Sequence, residues 1–174
     1  GIDATTLEAN AAMRSIVRRD DGTRYEDFLV SLAKASGIET PTRADLAKID
    51  KRRKKKGSND DWTNPNDPDA KITKLKDGRT HLAHKAEHAV DLDSGAVLAV
   101  TVQDATLGDP TTLKRTLEAT IENVLAVHHD PKCANALSPK ALSELVTDKG
   151  YHSNETMRVV DESGIKSYVS EPRR

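Results

Sequence analysis

The sequence predicts an α/β protein with a mixed sheet, and three observations support this class. Strand-like runs alternate with helical periodicity along the 174 residues. Two runs flank the turn-forming residues 91–95, a pattern typical of a β-hairpin. Short apolar runs near the end of the chain alternate with capped helical segments. The predicted order is therefore strand, helical segment, hairpin, helix, strand, helix, strand, within one main domain.

The first 70 residues are interpreted as a short strand followed by helices and a loop. Ile2 is taken as the tail of a strand that ends at Asp3. From residue 5 to residue 56 apolar side chains recur at threes and fours, which predicts helices, one of them over 24–35. A further helix is expected from Thr42, after Pro41. Residues 57–70 are rich in Asn, Asp and Pro and predict a linker or a long ordered loop.

The second half predicts the rest of the sheet and two covering helices. Residues 80–90 and 96–102 are expected to form the hairpin. A helix should begin at Asp109-Pro110, and a buried strand should run over 145–147. Ser153 is expected to cap a helix that Gly164 ends, and 165–169 should form the last strand.

Composition excludes several classes of protein. The net charge is -1, so overall basicity offers no argument for nucleic-acid binding. The single cysteine, Cys133, excludes an internal disulfide and a cysteine-rich zinc site, which favours a reducing, cytoplasmic setting. No apolar run approaches the roughly 20 residues of a membrane-spanning helix, so a membrane protein is not expected. Because the chain opens Gly-Ile-Asp without methionine, we expect a fragment with missing flanks.

Two aspartates are candidates for chemistry. Asp3 follows the first predicted strand and Asp148 ends Leu-Val-Thr-Asp, so both are expected at carboxyl ends of neighbouring strands, where α/β sheets place their sites. Two convergent carboxylates bind hard divalent cations such as Mg²⁺, which points to phosphodiester chemistry. The alternative from spacing alone is that each aspartate forms a turn or caps a helix.

Three segments resemble the catalytic domain of bacterial insertion-sequence transposases of the DDE type. They are Gly-Ile-Asp-Ala-Thr-Thr-Leu-Glu-Ala-Asn at 1–10, Asp-Pro-Asp-Ala-Lys-Ile-Thr-Lys-Leu-Lys-Asp-Gly-Arg-Thr-His-Leu-Ala-His-Lys-Ala-Glu-His-Ala-Val-Asp at 67–91, and Val-Thr-Asp-Lys-Gly-Tyr-His-Ser-Asn at 146–154. The resemblance covers nearly the whole chain. It implies a ribonuclease-H-like fold, with residues 1–4 and 80–174 as the catalytic core and 5–79 as a helical, basic insertion. Asp3 matches the family's first catalytic aspartate and Asp148 its second.

The resemblance also implies a metal-dependent reaction on DNA. Asp3 and Asp148 would hold two Mg²⁺ or Mn²⁺ ions, one activating water and later a DNA 3′-hydroxyl, the other stabilising the leaving oxygen. The implied partners are double-stranded transposon ends and target DNA, bound by a cytoplasmic, nucleoid-associated homodimer. The family's third acid is a glutamate on a helix beyond the last predicted strand, and we assign Glu171 no such role because it precedes Pro172. The family's amino-terminal DNA-binding region is also expected to be missing.

Basic side chains supply the candidate DNA contacts. Lys85 and Lys149 could approach a phosphate or pair with nearby carboxylates. The remaining candidates form one block, Lys51, Arg52, Arg53, Lys54, Lys55 and Lys56. Such a block is either a solvated face or, in a transposase insertion beside the active-site edge, a DNA contact. Trp62 in the adjacent loop either stacks on a base or, as we expect, covers the small core of the insertion.

A zinc site at three histidines and two other functions are the alternatives to the transposase interpretation. On a helix His81, His84 and His88 would share a face and suggest zinc, whereas on the strand that we predict they cannot reach one ion. The chain could instead be a non-catalytic DNA-binding remnant of a transposase, for which the missing third acid argues. Another ribonuclease-H-like nuclease, such as a resolvase, would prefer branched or hybrid nucleic acid over linear duplex ends.

Overall fold

The computed structural model describes residues 1–53, 57–133, 138 and 140–171. Within them the strands are β1 (Ile2–Glu8), β2 (Val17–Arg18), β3 (Trp62–Thr63), β4 (Lys71–Lys74), β5 (Thr80–Val90), β6 (Val97–Asp104), β7 (Glu144–Thr147) and β8 (Lys166–Val169). The α-helices of this described part are α1 (Tyr25–Ala35), α2 (Arg43–Arg52), α3 (Asp109–His128) and α4 (Asn154–Glu162). Two 3₁₀ turns, Met13–Ser15 and Lys149–Tyr151, complete the regular structure.

Six strands form one mixed sheet, which confirms the predicted α/β class. The strand order is β4-β5-β1-β7-β8, and β6 also pairs with β5. β1 pairs with β7 in parallel and β7 with β8 in parallel, whereas β4 is antiparallel to β5. β2 and β3 form a separate antiparallel pair.

The first strand is longer than the sequence predicted. β1 runs on to Glu8, so Asp3 is its second residue and does not stand at its carboxyl end. The helical interpretation of residues 5–18 is therefore wrong, since Met13–Ser15 is a 3₁₀ turn and Val17–Arg18 a short strand. The strand continues because it gains backbone partners, one of them the hydrogen bond from Ala9 N–H to Leu82 O at 2.8 Å. β3 and β4 were not predicted either, because short strands without an apolar alternation depend on their partners.

The later helices and strands lie where the sequence predicts them, because each carries a local start or stop signal. Thr42 and Asp45 form a reciprocal capping box at the start of α2, with Asp45 N–H 3.3 Å from Thr42 Oγ1. The Thr42 hydroxyl, and then the Thr42 backbone N–H, donate to the Asp45 carboxylate and hold the pKa of Asp45 below its usual value. The Ser153 hydroxyl accepts from Thr156 N–H at the start of α4. Gly164 follows that helix with a φ of 66°, the left-handed conformation that glycine adopts at least cost.

The chain divides into two compact units. The first comprises residues 1–6, 85–103 and 107–174, and the second comprises residues 7–84 and 104–106. The first unit has its own apolar core, which contains side chains from β1, β5, β6, β7, α3 and α4. Leu113 on α3, Leu145 on β7 and Val160 on α4 are almost completely buried in it.

The second unit is centred on Trp62. The indole is 2% exposed and packs with Ile16, Ala70, Ile72 and Leu82. The rings of Tyr25 and Phe28 meet it edge to face, with centroids 5.0 and 5.3 Å away. The prediction that Trp62 covers a small core in this part of the chain is confirmed.

None of the helices in the described part of the chain combines the length and the apolar character that a membrane crossing requires.

Truncating Leu113 should destabilise the protein far more than truncating an exposed leucine of the same helix. Leu113→Ala empties a site that is 1% exposed, and we expect a loss of about 2–5 kcal/mol in the free energy of unfolding. Leu125→Ala, at a position 42% exposed, is the matched control and should cost about 0.5 kcal/mol or less. Urea denaturation followed by circular dichroism measures both. Equal losses would contradict the assignment of Leu113 to the core.

Candidate active site

The parallel pairing of β1 with β7 brings the two candidate aspartates together. Ile2 lies opposite Thr147, and Asp3 and Asp148 are the next residue on each chain segment. Neighbouring strands lie about 4.8 Å apart, so the two aspartates are neighbours across the pair. Both side chains are exposed and line one depression of about 410 Å³. Asp3 reaches this position from the beginning of its strand and Asp148 from the residue after its strand.

Each aspartate is oriented by one backbone hydrogen bond. Asp3 Oδ1 accepts from Ala4 N–H at 2.8 Å, and Asp148 Oδ1 accepts from Gly150 N–H at 2.7 Å. The second bond starts the 3₁₀ turn Lys149–Tyr151. Within the described part of the chain Oδ2 of each aspartate has no hydrogen-bond or ion-pair partner. One oxygen of each carboxylate is thus fixed while the other is available to a ligand.

A third carboxylate, that of Asp109, approaches the turn after Asp148. A Cβ atom added to Gly150 would lie 2.5 Å from Asp109 Oδ2 and 2.9 Å from Asp148 Oδ1. A larger residue at this position would force at least one of the two carboxylates to move. The backbone φ of Gly150 is not positive, so conformational freedom is not the reason for a glycine here.

Lys85 pairs with Asp109. Its Nζ lies 2.6 Å from Asp109 Oδ1 and donates to Leu107 O at 3.2 Å, and the residue is only 5% exposed. Of the two alternatives for Lys85, the structure thus favours pairing with a carboxylate over contact with a phosphate. The buried ammonium of Lys85 offsets the negative charge of the partly exposed Asp109 beside the turn.

Glu87, two residues along β5, is fully buried and accepts three hydroxyl donors. Thr112 Oγ1 and Tyr151 Oη donate to its Oε1 at 2.7 and 2.8 Å, and Thr116 Oγ1 donates to Oε2. Burial first, and then the bond to Glu87, raises the pKa of the Tyr151 hydroxyl well above its usual value. The neutral phenol is the form that donates to Glu87. No pattern in the sequence signals this network, since its members lie up to 64 residues apart.

Two further polar residues lie close to the aspartates. His88 lines the same depression, and it stands two residues before Val90, whose N–H donates to Gly1 O at 2.8 Å. Antiparallel pairing from that bond places His88 opposite Asp3, a proximity that the sequence analysis missed. Lys149 is exposed directly after Asp148, as a candidate phosphate contact should be.

The predicted basic block divides into residues with different environments. Lys51 and Arg52 are exposed on the last turn of α2. The Arg53 guanidinium instead lies 4.9 Å from the centre of the Phe28 ring and hydrogen-bonds Tyr25 Oη at 3.1 Å and Asp50 at 3.4 Å. Its side chain is 15% exposed, so Arg53 belongs to the packing of this unit. The DNA contacts predicted for Lys54, Lys55 and Lys56 lie outside the described residues.

The three histidines lie on a strand, as predicted, and each of the first two pairs with carboxylates. His81 contacts Glu8 at 2.7 Å and Asp77 at 2.9 Å. His84 contacts Asp67 at 2.9 Å, and this bond lowers the pKa of Asp67. Zinc at these histidines finds no support, since the described residues contain no cluster of three or more His, Cys, Asp or Glu side chains able to hold a metal ion.

Among the described residues, no third metal-ligating side chain joins Asp3 and Asp148 in a group that could hold a metal ion, so the two supply only part of a metal's coordination shell. Asp3 and Asp148 supply two hard oxygen donors with one unpartnered oxygen each. Mg²⁺ is commonly bound through one or two carboxylates and completes its shell with water and substrate phosphate. The two aspartates therefore fit an ion that a nucleic-acid substrate helps to hold, and they do not form a closed protein cage.

Comparison of the chain with family models, with curated proteins and with solved structures finds no match.

The two carboxylates beside His81 should be visible in its titration. The protonated ring donates hydrogen bonds to Glu8 and to Asp77, and these bonds, that to Glu8 first, raise the pKa of His81 above its ordinary value of 6.5. A raised folded-state pKa means that this stabilisation is fully present below about pH 6.5 and is lost as the pH rises through the folded-state value. An NMR titration of His81 measures it.

Glu8→Gln should lower the pKa of His81 toward its ordinary value. Glu26→Gln, on α1, makes no hydrogen bond to His81 and serves as the control. An unchanged pKa in Glu8→Gln would show that the Glu8 contact does not hold the imidazolium.

Proposed function

We propose that this chain is the catalytic domain of a metal-dependent DNA transposase of the DDE type, which cleaves and joins phosphodiester bonds at insertion-sequence ends. The observation that carries the proposal is the β1–β7 register, which makes Asp3 and Asp148 neighbours with one available oxygen each. These are the two positions that match the family's first and second catalytic aspartates. The mixed sheet, with a hairpin beside the first strand and two parallel strands on its other side, is compatible with the ribonuclease-H-like architecture that the proposal includes.

Asp3 and Asp148 would hold Mg²⁺ or Mn²⁺ in the proposed reaction. Two such ions, when bound, activate an oxygen nucleophile and stabilise the leaving oxygen of an in-line displacement. The protein's own contribution is orientation, since the N–H groups of Ala4 and Gly150 fix Oδ1 of each carboxylate and leave Oδ2 for the metal. The resemblance implies a third acid, and we assign that role to no residue of this chain.

DNA contacts are proposed for the exposed cations. Lys149 stands next to Asp148, where it can meet a phosphate held by the metal. Lys51 and Arg52 on α2, with Lys54, Lys55 and Lys56 from the sequence pattern, would neutralise phosphates without reading bases. The proposed setting is a cytoplasmic homodimer that binds transposon ends and target DNA.

A non-catalytic DNA-binding remnant of a transposase is the second candidate. It is favoured by one observation, that no group of three metal-ligating side chains occurs among the described residues. The two functions differ in whether Asp3 and Asp148 bind a divalent ion together. The metal experiment below separates them.

Replacing either aspartate with asparagine should weaken Mn²⁺ binding. Asp3→Asn and Asp148→Asn each remove one anionic ligand of the same ion, so we expect at least about a tenfold loss of affinity in either variant. Asp93→Asn, an exposed aspartate of the hairpin turn, is the matched control and should bind as the native protein does. Isothermal calorimetry measures the affinities, and circular dichroism verifies folding. If the folded protein binds DNA but both aspartate variants bind Mn²⁺ normally, the remnant is the better description.

Removing charge from α2 should flatten the salt dependence of DNA binding. The slope of log K against log salt becomes shallower by about 0.9 for each phosphate of duplex DNA that the protein no longer neutralises. We expect a reduction of this kind in Lys51→Gln/Arg52→Gln, measured by fluorescence anisotropy between about 50 and 200 mM salt.

The control Lys114→Gln/Arg158→Gln also removes two exposed cations, each of which pairs with a glutamate of its own helix. Its slope should equal that of the native protein. Equal slopes in both double variants would reject α2 as a DNA-binding surface.

A further inference from the structure

Glu87 is a charged side chain in the interior of the protein. It is 0% exposed, and no cation among the described residues forms an ion pair with it. Burying a carboxylate without a counter-charge disfavours folding unless hydrogen bonds replace the lost water. An apolar residue at this position of β5 would avoid that cost. Stability alone therefore does not explain why a carboxylate lies there.

The three partners of Glu87 show what it holds. Thr112 and Thr116 come from α3, and Tyr151 comes from the 3₁₀ turn that begins at Asp148. A carboxylate only accepts hydrogen bonds, so each of these hydroxyls is directed toward Glu87. Strand, helix and turn are thereby connected through one side chain.

The turn between Asp148 and Tyr151 is held within its own backbone by local bonds only. They are Tyr151 N–H to Asp148 O at 3.3 Å, His152 N–H to Lys149 O at 3.2 Å and Gly150 N–H to Asp148 Oδ1 at 2.7 Å. Asp148, Lys149 and Gly150 are all exposed, whereas Tyr151 is 1% exposed. The buried phenol and its bond to Glu87 are therefore the anchor of the turn.

The bond from Tyr151 to Glu87 is important because the turn that it holds lies between two carboxylates, those of Asp109 and Asp148. Asp109 Oδ2 and Asp148 Oδ1 both lie within 3 Å of the point where a Cβ atom on Gly150 would stand, so a small shift of the turn would alter the approach of these two carboxylates. Lys85 and Glu87 lie two residues apart and thus on the same face of β5. The first offsets the charge of Asp109, and the second holds the turn that carries Asp148.

We propose that Glu87 is a positioning residue which, through the Tyr151 hydroxyl, holds the turn so that Asp148 presents Oδ2 to a divalent cation. This role rests on the proposed function, because it assumes that Asp148 is a metal ligand. Neither Glu87 nor Tyr151 lines the depression that contains Asp3 and Asp148. Both act through the backbone of the turn.

The test is Tyr151→Phe, which keeps the buried ring and removes only the hydroxyl. We expect Mn²⁺ affinity to fall about tenfold, the size of effect seen when a residue that orients a metal ligand is removed. We also expect the backbone amide resonance of Gly150 to shift in the metal-free protein, because its hydrogen bond to Asp148 is no longer held in place. Calorimetry and NMR measure these two quantities.

Thr120→Val is the matched control. Thr120 is 2% exposed on α3, and its hydroxyl donates to Thr116 O at 2.6 Å without contacting Glu87. Thr120→Val, like Tyr151→Phe, removes one buried hydroxyl. Its Mn²⁺ affinity and its Gly150 amide resonance should nevertheless match those of the native protein. Urea denaturation of both variants shows that each is folded under the conditions of the metal titration.

The outcomes separate this inference from the proposed function. If Asp148→Asn weakens Mn²⁺ binding but Tyr151→Phe does not, the positioning role is overturned and the metal site stands. If Thr120→Val weakens binding as much as Tyr151→Phe, the effect is general destabilisation, and the positioning role is again overturned. If Asp148→Asn binds Mn²⁺ normally, the metal site itself is rejected, whatever the Gly150 resonance shows about the turn.

Discussion

The parallel register of β1 and β7 is the constraint on which the candidate site depends. Ile2 and Thr147 are both buried and lie opposite one another, so the residues that follow them, Asp3 and Asp148, are forced out toward solvent together. A slip of one residue in either strand would turn an aspartate into the core and a core residue into water. The burial of Ile2 therefore stabilises the sheet and fixes the register that positions the two carboxylates. The Thr147 hydroxyl opposite it is buried without a hydrogen-bond partner among the described residues.

Beside this register, polar side chains of β5, β6 and α3 form a buried hydrogen-bond network. Thr101 and Gln103 on β6 bond with Thr116 on α3, which in turn donates to Glu87. Buried polar networks of this kind stabilise a unique arrangement only when their members find partners. Here the network fixes α3 against the sheet and the turn after Asp148 against both. An apolar layer of the same volume could pack as well, but it would not hold the turn by a directed bond.

The sequence predicted the elements that carry their own signals. Caps such as Thr42 and Ser153 and the stop at Gly164 are local, so α2 and α4 could be located without tertiary information. The extension of β1 to Glu8 could not, because it depends on backbone bonds to β5, which is distant along the chain. For the site, the pairing of Asp3 with Asp148 was expected. The Glu87 network was not, since buried acids and hydroxyls at wide spacing have no periodic signature.

The basic block shows that a run of cations in the sequence does not by itself define a charged surface. Six consecutive cations suggest one electrostatic surface, yet the Arg53 guanidinium contacts Phe28, Tyr25 and Asp50 within its own unit. Arginine suits that role because its planar group stacks on a ring while donating hydrogen bonds at its edge. Lys51 and Arg52, directly before it on α2, are exposed instead. Adjacent residues of one sign can therefore lie in different environments, and the burial of each side chain decides which of them can belong to a charged surface.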